Sequence, residues 1–156
     1  MKRNVLIVGA SGDIGMSIAK QRALKGDQLI LHYHKNKAQV IQLVEEFSEG
    51  EIIQFVQADL SRKDGIDQLL ATIDFHVDVI IFASGRADFG LFQHASIDLM
   101  DEMQTLHISA PLRITNHFLP GMIKKRFGKI IFISSIWGEV GASHEVLYST
   151  VKGAQN

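Results

Sequence analysis

The chain has 156 residues, 46% of them hydrophobic and 21% charged, with 16 Lys and Arg against 17 Asp and Glu for a formal net charge of -1. That balance excludes a basic nucleic-acid footprint and a highly charged disordered tail, while the length suits one domain with a real core. The lack of cysteine excludes a disulfide framework, a thiolate zinc site, an iron–sulfur cluster and a cysteine nucleophile. No apolar run approaches the roughly 18 residues of a membrane helix, and the N-terminal run is too short for a signal-peptide core. The expected setting is the cytoplasm, with no membrane and no nucleic acid as partner.

Apolar runs alternate with helical patterns along the whole chain. Val5 to Val8 reads as a buried strand. Ile14 to Leu24 follows at helical spacing and stops before Gly26. Gln28 to Tyr33 is a second strand, and Ala38 to Phe47 a second helix closed by Ser48-Glu49-Gly50. Ile52 to Val56 is a third strand, Arg62 to Ile73 a third helix and Val77 to Phe82 a fourth strand. A Gly- and Ala-rich loop spans Ser84 to Gly90. Ile97 to Leu119 is a long helical stretch in which Pro111 predicts a kink or break. Pro120-Gly121 precedes a short further helix up to Phe127. Lys129 to Ile133 is the fifth strand, and Val146 opens the last helix.

Five apolar strands alternating with helices predict an α/β fold, a doubly wound parallel sheet with right-handed crossovers. Ligands then bind beyond the carboxyl ends of the strands, just after Val8, Tyr33, Val56, Phe82 and Ile133. The first such place carries Gly9-Ala10-Ser11-Gly12-Asp13-Ile14-Gly15. Glycine permits a tight turn and close approach of a pyrophosphate, and the following helix offers free N–H groups. A glycine motif is weak alone, but its place between a first strand and a first helix marks a dinucleotide site. No acid stands between Gln28 and Val44 to hold a ribose 2′-hydroxyl. His32, His34, Lys35 and Lys37 stand there instead, which favours NADP(H) over NAD(H). The competing reading is a solvated basic loop.

Ser134-Ser135 end the fifth strand at the same edge. Tyr148 and Lys152 lie one helical turn apart on one face. A lysine ammonium beside a tyrosine lowers the phenol's pKa. Tyr148 can then give a proton to a carbonyl oxygen as hydride reaches the carbon, with Ser135 holding that oxygen.

With these residues together, the chain resembles the short-chain dehydrogenase/reductase family over nearly all its length. Among subfamilies it most resembles bacterial 3-oxoacyl-[acyl-carrier-protein] reductases. The resemblance implies a Rossmann-type sheet and a single NAD(P)-binding domain over residues 1–156. It implies cofactor contacts at Gly9, Ser11, Gly12, Asp13, Ile14, Gly15, Lys35, Asp59, Leu60, Ala83 and Gly85, as well as at Tyr148 and Lys152. Ser135, Tyr148 and Lys152 fall at the family's catalytic spacing, and Pro120-Gly121-Met122 and Gly128-Lys129-Ile130-Ile131 resemble its run before the serine strand. The implied function is NADP(H)-dependent hydride transfer to a ketone or 3-oxoacyl thioester by a homodimer or homotetramer. The alternative is a non-catalytic dinucleotide-binding or sensor protein on the same scaffold. A third reading is a dimer-forming scaffold without cofactor.

Three features depart from the family pattern. Asp13 stands where the family has glycine. Phe82-Ala83-Ser84-Gly85 replaces its Asn-Asn-Ala-Gly. His107 aligns with its catalytic asparagine, which helps carry a water relay to the lysine; histidine can also donate and accept, so His107 is a candidate catalytic residue, with a packed helix residue as the other reading. Family members run roughly 250 residues as one domain, so the last two strands and the substrate lid are expected to be missing here, and strand five is expected to be an open edge. The remaining histidines give no metal motif. His32 and His34 read as loop or cofactor-rim residues, His144 as a residue of the substrate entrance. His76, His94 and His117 read as surface or packing residues. Leu99, Met100, Met103 and Leu106 form a stripe suited to a core or a subunit contact.

Overall fold

The computed structural model describes residues 2–45, 47 and 50–156. Its strands are β1 (Asn4–Val8), β2 (Gln28–Tyr33), β3 (Ile52–Gln57), β4 (Val79–Phe82) and β5 (Lys129–Phe132). All pair in parallel in one sheet of order β3-β2-β1-β4-β5. The helices are α1 (Asp13–Ala23), α2 (Lys37–Glu45), α3 (Lys63–Thr72), α4 (Ile97–Gln104), α5 (Ala110–Lys125) and α6 (Val146–Gly153). This is the expected Rossmann-type α/β architecture. Short 3-10 turns at Phe92–His94 and Ile136–Gly138 were not legible as elements. The expected helix closure at Ser48 and Glu49 lies outside the described residues.

The three central strands β1, β2 and β4 are buried on both faces, as continuous apolar runs require. Leu6, Val8, Ile30, Ile80 and Phe82 pack with Ile66 and Leu69 of α3 and Ile114, Phe118 and Met122 of α5. The alternate residues Val5, Ile7, Leu29, Leu31, Val79 and Ile81 pack with Ala19 and Ala23 of α1 and Val40 of α2. The register places Val56, His32, Val8, Phe82 and Phe132 in one row across the sheet. The loops that follow them therefore emerge at one edge, which is where the site forms. Among the described residues β5 pairs with β4 alone, and its four residues are exposed.

The two prolines of the long helical stretch behave differently. Before Pro111 the helix widens into a π-turn over Thr105–Ser109, as expected of a ring that removes one N–H and crowds the preceding turn. At Pro120 the expected break does not occur, and α5 runs through Pro120-Gly121 to Lys125. Pro120 is on the exposed side, where water can serve the carbonyl it leaves bare. Buried Ile114, Phe118 and Met122 hold the opposite face in register. The helix ends at Arg126 in the left-handed region, φ 54°.

Candidate functional site

The glycine loop turns sharply after β1. Gly9 has φ +87°, and a side chain there would put its Cβ 2.6 Å from the backbone of Ser84, in the loop after β4. Gly15 is pressed against the same turn, with its Cβ position 2.2 Å from the Gly9 carbonyl oxygen. These two positions require glycine. Gly12 caps α1 without any side-chain hydrogen bond, so the first-turn N–H groups are left for another acceptor.

Beside this turn lies a cavity of about 500 Å³. Its walls include Gly9, Ser11 and Gly12 from the first loop, His34 and Lys35 after β2, Asp59 and Leu60 after β3, and Ala83 and Gly85 after β4. Eight of the expected cofactor positions are thus brought to one hollow, in addition to the rim residue His34. Asp13 and Ile14 are exposed at the start of α1, and Gly15 is buried under the loop, so these three line no part of it. Burial pushes the Asp59 carboxyl up, but hydrogen bonds from the Ser61 hydroxyl and N–H, with His34 and Arg62 nearby, hold it below its ordinary value. It is a carboxylate at neutral pH.

His32 lines the cavity as a rim residue, but from the end of β2 rather than from a loop. It is 3% exposed and fixed at both nitrogens. Its Nδ1 accepts from the Gly9 N–H at 3.1 Å, and its Nε2 lies 3.1 Å from the Ala58 carbonyl oxygen. Those partners require the tautomer protonated on Nε2. Burial lowers its pKa to about 4, only partly offset by the Ala58 hydrogen bond, with smaller opposing effects of His34 and Asp59. His32 thus braces the glycine loop against the loop after β3.

Tyr148 and Lys152 come together on α6, with Lys152 Nζ 5.7 Å from the Tyr148 ring centroid. Lys152 is buried and donates to the Ile133 carbonyl at 2.8 Å, just beyond β5. Burial lowers its pKa. Ser135, between β5 and the 3-10 turn, accepts from the Trp137 N–H through its hydroxyl oxygen, which leaves its own proton to donate. A glycine missed in the sequence sets α6 in place. A Cβ at Gly138 would lie 2.8 Å from the Lys152 backbone.

His107, in the π-turn, stands between the cavity and this pair. Its ring is edge-on to Tyr148, with centroids 6.1 Å apart. A Cβ at Gly85 would meet its Cε1 at 3.1 Å. Its Nε2 faces the Arg86 N–H at 3.2 Å and the Arg86 carbonyl at 3.1 Å, using one or the other according to tautomer. Nδ1 is buried without a partner among the described residues. Burial and the Lys152 charge lower its pKa to about 4, against the opposing Arg86 hydrogen bond. The imidazole is neutral at pH 7. Arg86, also missed in the sequence, lines the cavity and pairs with Glu102 of α4 at 3.0 Å.

A second pocket, about 270 Å³, opens between the loop after β4 and the start of α6. His144 lines it and stacks on Phe89 at 5.3 Å. Among the described residues no group of three or more His, Asp or Glu can hold a metal ion, and no helix is long and apolar enough to cross a membrane.

The family described as short chain dehydrogenase matches residues 3–156. The chain belongs to that family. It is 45% identical over 158 residues to the uncharacterized oxidoreductase YmfI of Bacillus subtilis, covering 100% of this chain and 65% of that protein. It is 26% identical over 156 residues to the 3-oxoacyl-[acyl-carrier-protein] reductase FabG of Staphylococcus epidermidis, covering 97% of this chain and 64% of that one. The solved short-chain dehydrogenase of Sphingobium yanoikuyae, in complex with NADPH, superposes with a TM-score of 0.84 at 25% identity over 97% of this chain and 60% of its own. Other structures of this fold hold NADH. The chain spans about two-thirds or less of the length of each of these proteins.

Proposed function

We propose that this chain carries the cofactor half and the proton-donating groups of an NADP(H)-dependent reductase acting on a ketone or 3-oxoacyl thioester. The observation that carries this reading is the Tyr148–Lys152 pair on α6, set beyond His107 from a glycine-walled cavity. The cavity's residues suit a nicotinamide dinucleotide. Gly9 and Gly12 leave room for backbone approach, the uncapped start of α1 offers N–H groups to phosphate, and Asp59 is available as an acceptor beside Leu60. When bound, the dinucleotide supplies the hydride that reaches the carbonyl carbon. Tyr148 gives its phenolic proton to the carbonyl oxygen. The Lys152 ammonium favours the phenolate left behind, and the Ser135 hydroxyl donates to the same oxygen.

Support for NADP(H) over NAD(H) comes from the strand-end chemistry. His34 and exposed Lys35 stand where an acid would otherwise meet a ribose 2′-hydroxyl, and a cation there suits a 2′-phosphate. FabG, by its name, acts on a 3-oxoacyl thioester carried by a protein, which supports that substrate class. Exposed Leu112, Leu119 and Ile123 on α5 support a homodimer or homotetramer, since contiguous exposed apolar surface marks contact faces.

The test is a fluorescence titration with NADPH and NADH, using the wild type and Lys35→Glu. The wild type should bind NADPH more tightly. The substitution should weaken NADPH by about tenfold, the scale of one charge-assisted hydrogen bond, and leave NADH unchanged. Equal loss for both cofactors would refute the assignment of Lys35.

A further inference from the structure

Gln155 joins two groups that the fold leaves short of partners. Pro111 has no N–H, so the His107 carbonyl, four residues earlier, lacks its α-helical donor. The Gln155 Nε2 amide donates to that carbonyl at 2.8 Å. At the other end of the same amide, Oε1 accepts from Lys152 Nζ at 3.0 Å. Only one orientation of the amide serves both, because the carbonyl must accept and the ammonium must donate. Lys152 gives another proton to Ile133. One of its three donors then remains for the side on which Tyr148 lies.

We propose that Gln155 is a positioning residue: it ties the Lys152 ammonium to the backbone of the π-turn and so sets where the remaining N–H stands relative to Tyr148. A buried ammonium needs its protons satisfied, and Lys152 has two acceptors, one of them this amide. The titratable groups that face Lys152 are His107 from the π-turn and Tyr148 from its own helix. The consequence for turnover rests on the reductase reading; the geometry does not.

The experiment follows the Lys152 Cε resonance against pH in the full chain, for wild type, Gln155→Leu and Gln155→Glu, with circular dichroism to show that each is folded. The leucine variant removes the acceptor and should lower the Lys152 midpoint by about one pH unit. The glutamate variant adds a negative charge and should raise it. In parallel, the pH profile of kcat/KM for NADPH-dependent carbonyl reduction should move in the leucine variant. Should one variant fail to fold, the other decides. Unchanged midpoints in folded variants would overturn the proposal. Midpoints that move as stated, in a protein whose wild type shows no turnover, would support the positioning role and overturn the reductase reading instead.

Discussion

His107 has two jobs that a single residue type rarely combines. Through Nε2 it holds the Arg86 backbone at the cavity wall, and through its ring edge it packs on Tyr148. Burial with the Lys152 charge keeps the ring neutral. Removing the ring would take away the edge contact that steadies the Tyr148 phenol. A displacement of about 1 Å near the reacting atoms costs on the order of a hundredfold in rate. His107→Ala should therefore lower turnover by about that factor while NADPH affinity, read by fluorescence, holds. Unchanged turnover would remove His107 from the working site.

The π-turn and α6 carry the site's geometry at the level of elements. Gly138 lets the 3-10 turn lie against the Lys152 backbone. Gly138→Ala must push the two apart, and overpacking of this kind costs about 1–3 kcal/mol. The urea midpoint should fall, and carbonyl reduction should fall with it as Lys152 leaves the Ile133 carbonyl. A midpoint equal to wild type would contradict the close approach. Pro120 provides the opposite case. It sits inside α5 with its ring against the preceding turn, so Pro120→Ala should add a hydrogen bond and relieve that clash. The gain should be about 1–2 kcal/mol after the looser unfolded chain is counted, seen as a higher urea midpoint at unchanged m-value. A lower midpoint would show that the ring stabilises the bend.

These elements also show what a sequence can and cannot display. The central strands β1, β2 and β4 were legible because burial on both faces leaves unbroken apolar runs. The glycine loop, Tyr148 and Lys152 were legible because their chemistry depends on local spacing. Pro111 and Pro120 look alike in sequence, and they diverge because one abuts the π-turn and the other faces water. The bracing role of His32 was not legible because its partner Ala58 lies 26 residues away on another strand's exit. Arg86, Gly138 and Gln155 gave no local signal except one: Pro111, four residues past His107, announces a carbonyl in need of a donor.

At the scale of the whole molecule, two buried neutral histidines tie stability to pH. His32 and His107 both fall from 6.5 to about 4 in the fold. Depressed values favour the folded state when the rings are neutral. Their contribution is therefore complete above about pH 6.5 and is lost as pH falls toward 4, by about 3 kcal/mol each at most. Urea midpoints measured between pH 7.5 and 4 should decline, and replacing either residue by glutamine should flatten about half of that decline. A flat profile in the wild type would contradict the buried neutral rings. The sheet edge where His32 lies, with the π-turn that holds His107, brings the cavity and the Tyr148–Lys152 pair to one side of the molecule. The most direct test of their joint purpose is the loss of NADPH absorbance on adding a simple 3-oxoacyl thioester, for wild type and Tyr148→Phe. Turnover in the wild type that falls by at least about a hundredfold in the phenylalanine variant, with NADPH still bound, is the predicted result. Tight NADPH binding with no turnover in either protein would contradict it and leave a dinucleotide sensor.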